Sequence, residues 1–235
     1  MMNNDRYLLK KGMGQVFLEV LHGSIFPNKC LFCNKVLDTV REIACEDCEK
    51  ATLFVHEFRE NFFDNIGMVR AAYDYDVEAV RQTIWRYKYG GNRLLVRKMA
   101  CGIYDCVGEF DEPIADMLVC VPLHKGRLKE RGFNQSALFA MELSRLYGVA
   151  AYDGMMRVRE TAKQFDLNPK QRAENVRDAF DLKEGFCVQG KSVLIVDDVF
   201  TTGATAMECA RVLAIAGAFG VGVLGFAAVE GEMQG

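Results

Sequence analysis

No stretch of this 235-residue chain approaches the roughly 18 to 20 uninterrupted apolar residues of a membrane-spanning helix, and Met1 to Arg6 is polar with no apolar signal segment behind it. A cytoplasmic chain without a membrane span is the expectation. Net positive charge is missing too. With 29 Lys and Arg against 32 Asp and Glu, the formal charge is -3, so contact with nucleic acid would have to come from a local patch rather than bulk attraction. There are no internal repeats or low-complexity tracts, which sets aside solenoids and arrays. Apolar periodicity is missing between Phe26 and Lys50, so apolar burial cannot close that segment and something else must. The remainder is ordinary globular text, 50% hydrophobic and 26% charged, enough for one full core and a small appendage. The expected division is residues 1–60, with an N-terminal helix over Tyr7 to Leu21 and a cysteine module, and residues 61–235 as the main domain.

Nine cysteines in a cytosolic chain argue against a disulfide framework, because thiols stay reduced there, and leave metal ligands or buried free thiols. Four sort themselves out. Cys30-Leu-Phe-Cys33 and Cys45-Glu-Asp-Cys48 are two Cys-x-x-Cys knuckles eleven residues apart, inside the segment that lacks a core. Four thiolates in this format suit tetrahedral Zn²⁺. The separation is shorter than the commonest ribbon spacing, which leaves iron-sulfur or redox chemistry open, although neither pair opens a helix after a strand as a thioredoxin motif would. Cys101, Cys106, Cys120, Cys187 and Cys209 are isolated in apolar surroundings and read as structural thiols.

Beyond the cysteines, strand and helix patterns alternate. Strands are expected over Val69–Tyr75, Met117–Pro122, Ala179–Leu182, Val193–Val196 and Val221–Val229. Helices are expected over Val77–Tyr89, Leu94–Val107, Gln135–Tyr147 and Ala204–Ala216. Several strands are apolar on both faces, which indicates an α/β fold with a parallel sheet covered by helices on each side. His124 to Asn134 reads as a basic loop. Tyr152 to Asp178 is long, charged and weakly patterned, and such a length in a compact domain suggests a functional lid.

Chemistry is densest in Val193-Leu-Ile-Val-Asp197-Asp198-Val199-Phe200-Thr201-Thr202-Gly203-Ala204-Thr205. A buried strand ends in two carboxylates, followed by a Thr/Gly turn and a helix. A helix N-terminus offers unpaired N–H groups and partial positive charge, Gly203 lets backbone approach a phosphate, and the threonines add hydroxyl donors. Asp197 and Asp198 would repel that phosphate, so they must face hydrogen-bond donors, which the diol of a ribose on the same ligand supplies. Gly185 to Ser192 also satisfies the Walker A pattern, but a P-loop needs a strand before it and a helix at Lys-Ser, whereas Ser192 opens a β-run.

The Val193 to Thr205 string resembles the signature of the type I phosphoribosyltransferases. That resemblance implies binding of phosphoribosyl diphosphate (PRPP), with Asp197 and Asp198 on the ribose hydroxyls and Thr201 to Thr205 on the 5'-phosphate. Such a ligand needs cations and Mg²⁺ near its pyrophosphate, and Lys125, Arg127, Lys129 and Arg131 follow directly on a strand whose carboxyl end would share the crevice. Val121-Pro-Leu-His-Lys-Gly-Arg-Leu-Lys-Glu-Arg-Gly-Phe-Asn-Gln135 resembles the pyrophosphate-loop signature of the competence-associated ComF family. The charged lid stretch with Arg157, Thr161, Gln164, Arg172 and Asn175, Tyr87-Lys88-Tyr89 and the N-terminal cysteines match it in order. The resemblance implies a type I phosphoribosyltransferase-like domain behind a zinc module. It also implies a role in DNA uptake, handling single-stranded DNA beside a competence helicase. An active phosphoribosyltransferase of salvage or amination is the alternative. Lys88 and His124 are weaker candidates for the site, and no residue reads as an obvious general base.

Overall fold

The computed structural model describes residues 27–39, 42–58, 66–90, 95–107, 115–161 and 168–229. The chain divides into two compact units, Met1–Ala51 and Thr52–Gly235. The helix expected over Tyr7 to Leu21 lies outside the described residues.

In the first unit the backbone folds tightly around the cysteines. Cys30 N–H donates to Lys35 O at 2.7 Å, Leu31 N–H to Ile43 O at 2.8 Å and Leu37 N–H to Asn28 O at 2.8 Å, while Lys29 and Val36 form an antiparallel bridge. Asn34 makes the turn with φ of 63°, a left-handed conformation that Asn tolerates. The Asn28 amide donates to Thr39 O and Glu42 O, closing the loop between the knuckles. The second knuckle opens a short helix, α1 (Glu46–Thr52), with no named strand before it among the described residues.

The second unit is an α/β layer structure. Its elements run β1 (Leu53–Phe58), β2 (Ile66–Asp74), α2 (Glu78–Tyr89), α3 (Leu95–Val107), β3 (Met117–Cys120), α4 (Lys125–Arg131), α5 (Gln135–Tyr147), β4 (Ala151–Tyr152), β5 (Met155–Arg157), α6 (Pro169–Val176), β6 (Phe180–Leu182), β7 (Ser192–Phe200), α7 (Ala204–Ile215) and β8 (Gly220–Ala228). The six-stranded sheet has the order β1-β2-β8-β7-β3-β4, and every neighbouring pair is parallel except the edge pair β1 and β2. The parallel sheet is thus as expected, with an antiparallel edge strand that the sequence patterns did not single out.

Side chains alternate across the pleat, so the apolar run of β7 serves two cores. Val193 and Ile195 pack with Val119 and Val223 against Cys209, Ala210 and Leu213 of α7. On the other face, Phe139 of α5 meets Phe226 of β8 edge-on at 6.3 Å and Tyr87 of α2 at 6.2 Å.

Two expectations are corrected. The basic stretch is not a loop: Lys125 to Arg131 is helical, capped by His124, whose side chain accepts from Gly126 N–H, and ended by Gly132 at φ of 76°. Residues 152–178 are not one long loop either. Arg157 lies in β5, which pairs antiparallel with β6, and Arg172 and Asn175 lie in α6, which opens with a reciprocal Asn168–Gln171 capping box. The Walker-like segment leads into β7 rather than a helix, because Ser192 is the first strand residue.

Candidate functional site

The site is built where neighbouring strands β3 and β7 end. They run in register from Met117 opposite Val193 to Cys120 opposite Val196, and Val121 N–H still donates to Val196 O at 3.1 Å. The chain segments that leave them therefore emerge side by side, as expected for a ligand crevice at the carboxyl ends of parallel strands. Together they line one cleft of ≈ 160 Å³. From the β7 side it takes Asp197, Asp198, Val199, Phe200, Thr201, Gly203, Ala204 and Thr205, and from the β3 side Arg127 and Arg131, with Lys88, Gln135, Ser136 and Arg157 completing the wall.

Strand β7 continues past Val196 to Phe200, so the two aspartates lie within it and not beyond its end. Successive side chains diverge, which sends the adjacent carboxylates to different partners. Ser136 Oγ donates to Asp197 Oδ1 at 2.7 Å, and Asp198 N–H donates to the same oxygen at 2.9 Å. Lys88 Nζ meets Asp198 Oδ1 at 2.9 Å, with Asp198 only 6% exposed. Burial first, and then the charge of Asp198, push the Asp197 carboxyl up to about 7, against the pull of Ser136 and Lys88. For Lys88, burial lowers the pKa, but Asp198 and then Asp197 outweigh it and hold the ammonium above its ordinary value.

The turn after β7 divides its hydroxyls. Gly203, at φ of 70°, takes the left-handed conformation that lets the chain swing into α7. Thr202 Oγ1 accepts from Ala204 N–H at 3.4 Å and faces a small apolar pit with Val69, Met207 and Val223, whereas Thr201 and Thr205 line the cleft.

Helix α4 divides the four cations in the same way. Arg127 and Arg131, one helical turn apart, line the cleft, while Lys125 and Lys129 are exposed and do not. Arg131 lies over the Tyr89 ring at 5.2 Å and donates to Tyr89 Oη at 3.1 Å. Of the lid residues, Arg157 reaches the cleft: it bonds Thr161, lies over the Phe180 ring at 5.2 Å, and is pushed below its ordinary pKa first by burial and then by the charge of Arg127. Arg172 and Asn175 do not line the cleft, and Gln164 lies outside the described residues. His124 serves as the α4 cap, with Nδ1 accepting from Gly126 N–H at 3.3 Å.

Ser136 and Gln135 were missed as site residues. Their placement depends on Asn134, which caps α5 by accepting from Ser136 N–H at 3.1 Å and anchors that helix end to β3 by donating to Val121 O at 3.0 Å. An Asn before an apolar helical run is a legible cap, but which distant carboxylate the next serine reaches is not.

In the first unit, Cys30, Cys33, Cys45 and Cys48 bring their sulfurs within 4.8 Å of one another. Cys33 Sγ and Cys45 Sγ are 3.7 Å apart. Ligand bonds of about 2.3 Å in a tetrahedron place sulfurs about 3.8 Å apart, so the four thiols could hold a metal ion with little rearrangement. Burial raises the Cys30 thiol, but N–H donors including that of Cys45, at 3.4 Å, outweigh it and bring the thiol down to about 7.

No protein-family model matches the chain. Similar solved structures include the glutamine PRPP amidotransferase of Bacillus subtilis, 22% identical over 60% of this chain and 30% of that one, with a TM-score of 0.38. The adenine phosphoribosyltransferase of Thermoanaerobacter pseudethanolicus is 13% identical over 78% of this chain and 98% of that one, with a TM-score of 0.35. The fold of the second unit is α/β, a mostly parallel sheet flanked by helices, and the first unit carries four cysteines that could hold a metal ion.

Among relatives, the DNA utilization protein YhgH of Escherichia coli is 42% identical over 111 residues, and the chain spans just under half of its length, 48%. Competence protein F of Haemophilus influenzae is 30% identical over 159 residues, 64% of this chain and 69% of that protein. Competence protein ComFC of Bacillus subtilis is 29% identical over 174 residues, 72% of this chain and 65% of that protein. The chain belongs to the ComF family.

Proposed function

We propose that the cleft binds PRPP or a related phosphoribosyl ligand together with Mg²⁺, and that the protein acts in DNA uptake, handling single-stranded DNA during natural competence. The observation that carries the ligand assignment is the single cleft lined by Asp197 to Thr205 on one side and by Arg127 and Arg131 on the other. A sugar carrying phosphate at one end and diphosphate at the other matches a cleft whose lining includes a carboxylate pair, a helix N-terminus and a guanidinium pair. Among the described residues, Oδ2 of Asp197 and Oδ2 of Asp198 make no hydrogen bond or ion pair, so each carboxylate keeps an oxygen to accept from a ribose hydroxyl. Lys88 would hold the Asp198 carboxylate in position for that role. Carboxylate and phosphate oxygens are the hard donors that Mg²⁺ takes, and the ion would neutralise charge on the diphosphate.

The DNA assignment rests on the family, whose members include proteins named for competence and DNA utilization. No helix among the described residues is long and apolar enough to cross a membrane. The exposed Lys125 and Lys129 would meet a phosphate backbone from outside the cleft, beside Arg127, Arg131 and Phe133. Zn²⁺ would hold the four-cysteine unit together, and a competence helicase is the proposed protein partner.

Titration calorimetry with PRPP and Mg²⁺ tests the ligand. Binding by the wild type and its loss in Asp197→Asn with Asp198→Asn is expected, while unchanged affinity in the folded double variant removes the ribose assignment. A labelled oligonucleotide should bind with a steep salt dependence and be displaced by PRPP with Mg²⁺ better than by plain phosphate. Binding that persists with PRPP saturating would place the strand elsewhere. Pyrophosphate release from PRPP across a panel of bases and ammonia would instead make the protein a transferase.

A further inference from the structure

Among the described residues, two buried N–H donors that lack an acceptor belong to side chains of the cleft wall: Gln135 Nε2 and Arg157 Nε. Gln135 is the sharper case, because it is 2% exposed and is the first residue of the thirteen-residue helix α5. The orientation of its amide is fixed by chemistry. Arg131 Nη1 donates to Gln135 Oε1 at 3.3 Å, and since a guanidinium has no acceptor, the amide atom facing it must be oxygen. The NH₂ group is therefore the end left without a partner. A neutral donor is rarely buried in that state, and here it lies at a helix N-terminus, in a wall that also contains Arg127, Arg131 and Arg157. Tyr87 Oη donates to Gln135 O at 2.7 Å and holds the backbone, so the side chain can change without loosening the helix end.

We infer that Gln135 is a binding residue for a diphosphate: its Nε2 donates to an anionic oxygen of that group while its Oε1 holds Arg131 in place to take another. The ligand class is a pyrophosphoryl group, free or as the activated end of a sugar diphosphate, as distinct from a phosphate monoester. This rests on the phosphoribosyl assignment of the cleft only in supplying the rest of the ligand. Gln135 would then let the cleft discriminate PRPP from ribose 5-phosphate, since the monoester is left to the Thr201 to Thr205 turn.

The test is calorimetry on the full chain, as wild type, Gln135→Met and Gln135→Glu, with inorganic pyrophosphate, PRPP and ribose 5-phosphate in separate arms, each with Mg²⁺. Loss of a hydrogen bond to a charged oxygen predicts roughly 10- to 100-fold weaker pyrophosphate and PRPP binding in Gln135→Met, with ribose 5-phosphate unchanged. Gln135→Glu should lose more, because it adds a like charge. Removing a buried donor that lacks an acceptor should also raise the Tm of ligand-free Gln135→Met, whereas its PRPP-bound form should gain less thermal protection than the wild type. Wild-type PRPP binding that both variants retain overturns this inference and leaves the ligand assignment standing. Gln135-dependent pyrophosphate binding without PRPP or ribose 5-phosphate binding keeps the inference and removes the assignment. No binding in any arm overturns both.

Discussion

Among the described residues the first unit buries four apolar side chains, Cys30, Leu31, Phe32 and Leu37, while the second buries whole strands of them on both faces of β7. The two units put their polar groups to opposite uses. In the first, four thiols converge and backbone hydrogen bonds wrap them, so the polar cluster takes the place of a core. In the second, the apolar core is ample, and a buried carboxylate pair sits at its edge where it costs stability. Burial and the neighbouring Asp198 push the Asp197 carboxyl up to about 7, the direction expected when a charge is held out of water. A small unit with few buried apolar side chains leans on its polar cluster, whereas a large one can carry a buried polar cluster that opposes folding.

The largest effect should come from removing metal from the first unit. Structural zinc contributes about 10 to 16 kcal/mol to such small modules, so a strong chelator should unfold residues around Cys30 to Cys48 and leave the sheet unit folded. Heteronuclear NMR of the full chain checks this, with metal analysis expected to find one zinc per chain. Iron, or no metal in reduced protein, contradicts the zinc assignment, and loss of both units together breaks the comparison.

Next in size is Lys88→Met, which leaves Asp198 buried without its ion-pair partner. Breaking a buried pair from one side costs about 3 to 5 kcal/mol, so the Tm should fall by many degrees. A Tm within a degree or two of the wild type would mean that water reaches Asp198 freely.

Asp197→Asn should act in the opposite direction. An unfolded aspartate ionises near pH 4, whereas the folded group holds its proton up to about 7. Between those values the folded state retains a proton that the unfolded chain releases, so stability falls as pH rises and levels off above about 7. Asparagine keeps an oxygen for Ser136 but not the charge. Asp197→Asn should therefore melt higher than the wild type at pH 8, with an advantage of about 1.4 kcal/mol for each pKa unit relieved, and lose that advantage towards pH 4. A pH-independent difference would refute it.

The smallest contrast lies within α4. Arg127→Gln with Arg131→Gln should weaken PRPP binding at least tenfold, while Lys125→Gln with Lys129→Gln should change it by less than about twofold, because exposed charges are screened. Equal losses would mean that net charge, and not the helix face, selects the ligand. In the oligonucleotide assay both pairs should matter.

Much of this was legible in the chain. A run of Val, Leu and Ile specifies the buried parallel strand and the Thr-Gly turn specifies its end, although the strand runs through Asp197 and Asp198 to Phe200 instead of stopping at Val196. The knuckle spacing brought four sulfurs together because backbone turns of two or three residues have few conformations. What was not legible was longer-range or less strongly patterned. The Lys125 to Arg131 segment has too few apolar residues to show helical periodicity, and its helix rests on a cap at His124 and a left-handed stop at Gly132. The stretch after Tyr152 concealed β5 because three residues carry no readable period.

Local chemistry in the sequence determined which groups this protein carries and in what short-range geometry: four thiols on two tight turns, two adjacent carboxylates, and a glycine where the chain must swing into a helix. Tertiary structure decided which of those groups meet. Lys88 and Asp198, Ser136 and Asp197, and Gln135 and Tyr87 are 48 to 110 residues apart, and each contact exists because β3, β7, α2 and α5 end at one place. The physical reason is that apolar burial sets the register and packing of those elements, and the polar pairs at their ends form only once that packing has placed them within hydrogen-bond reach.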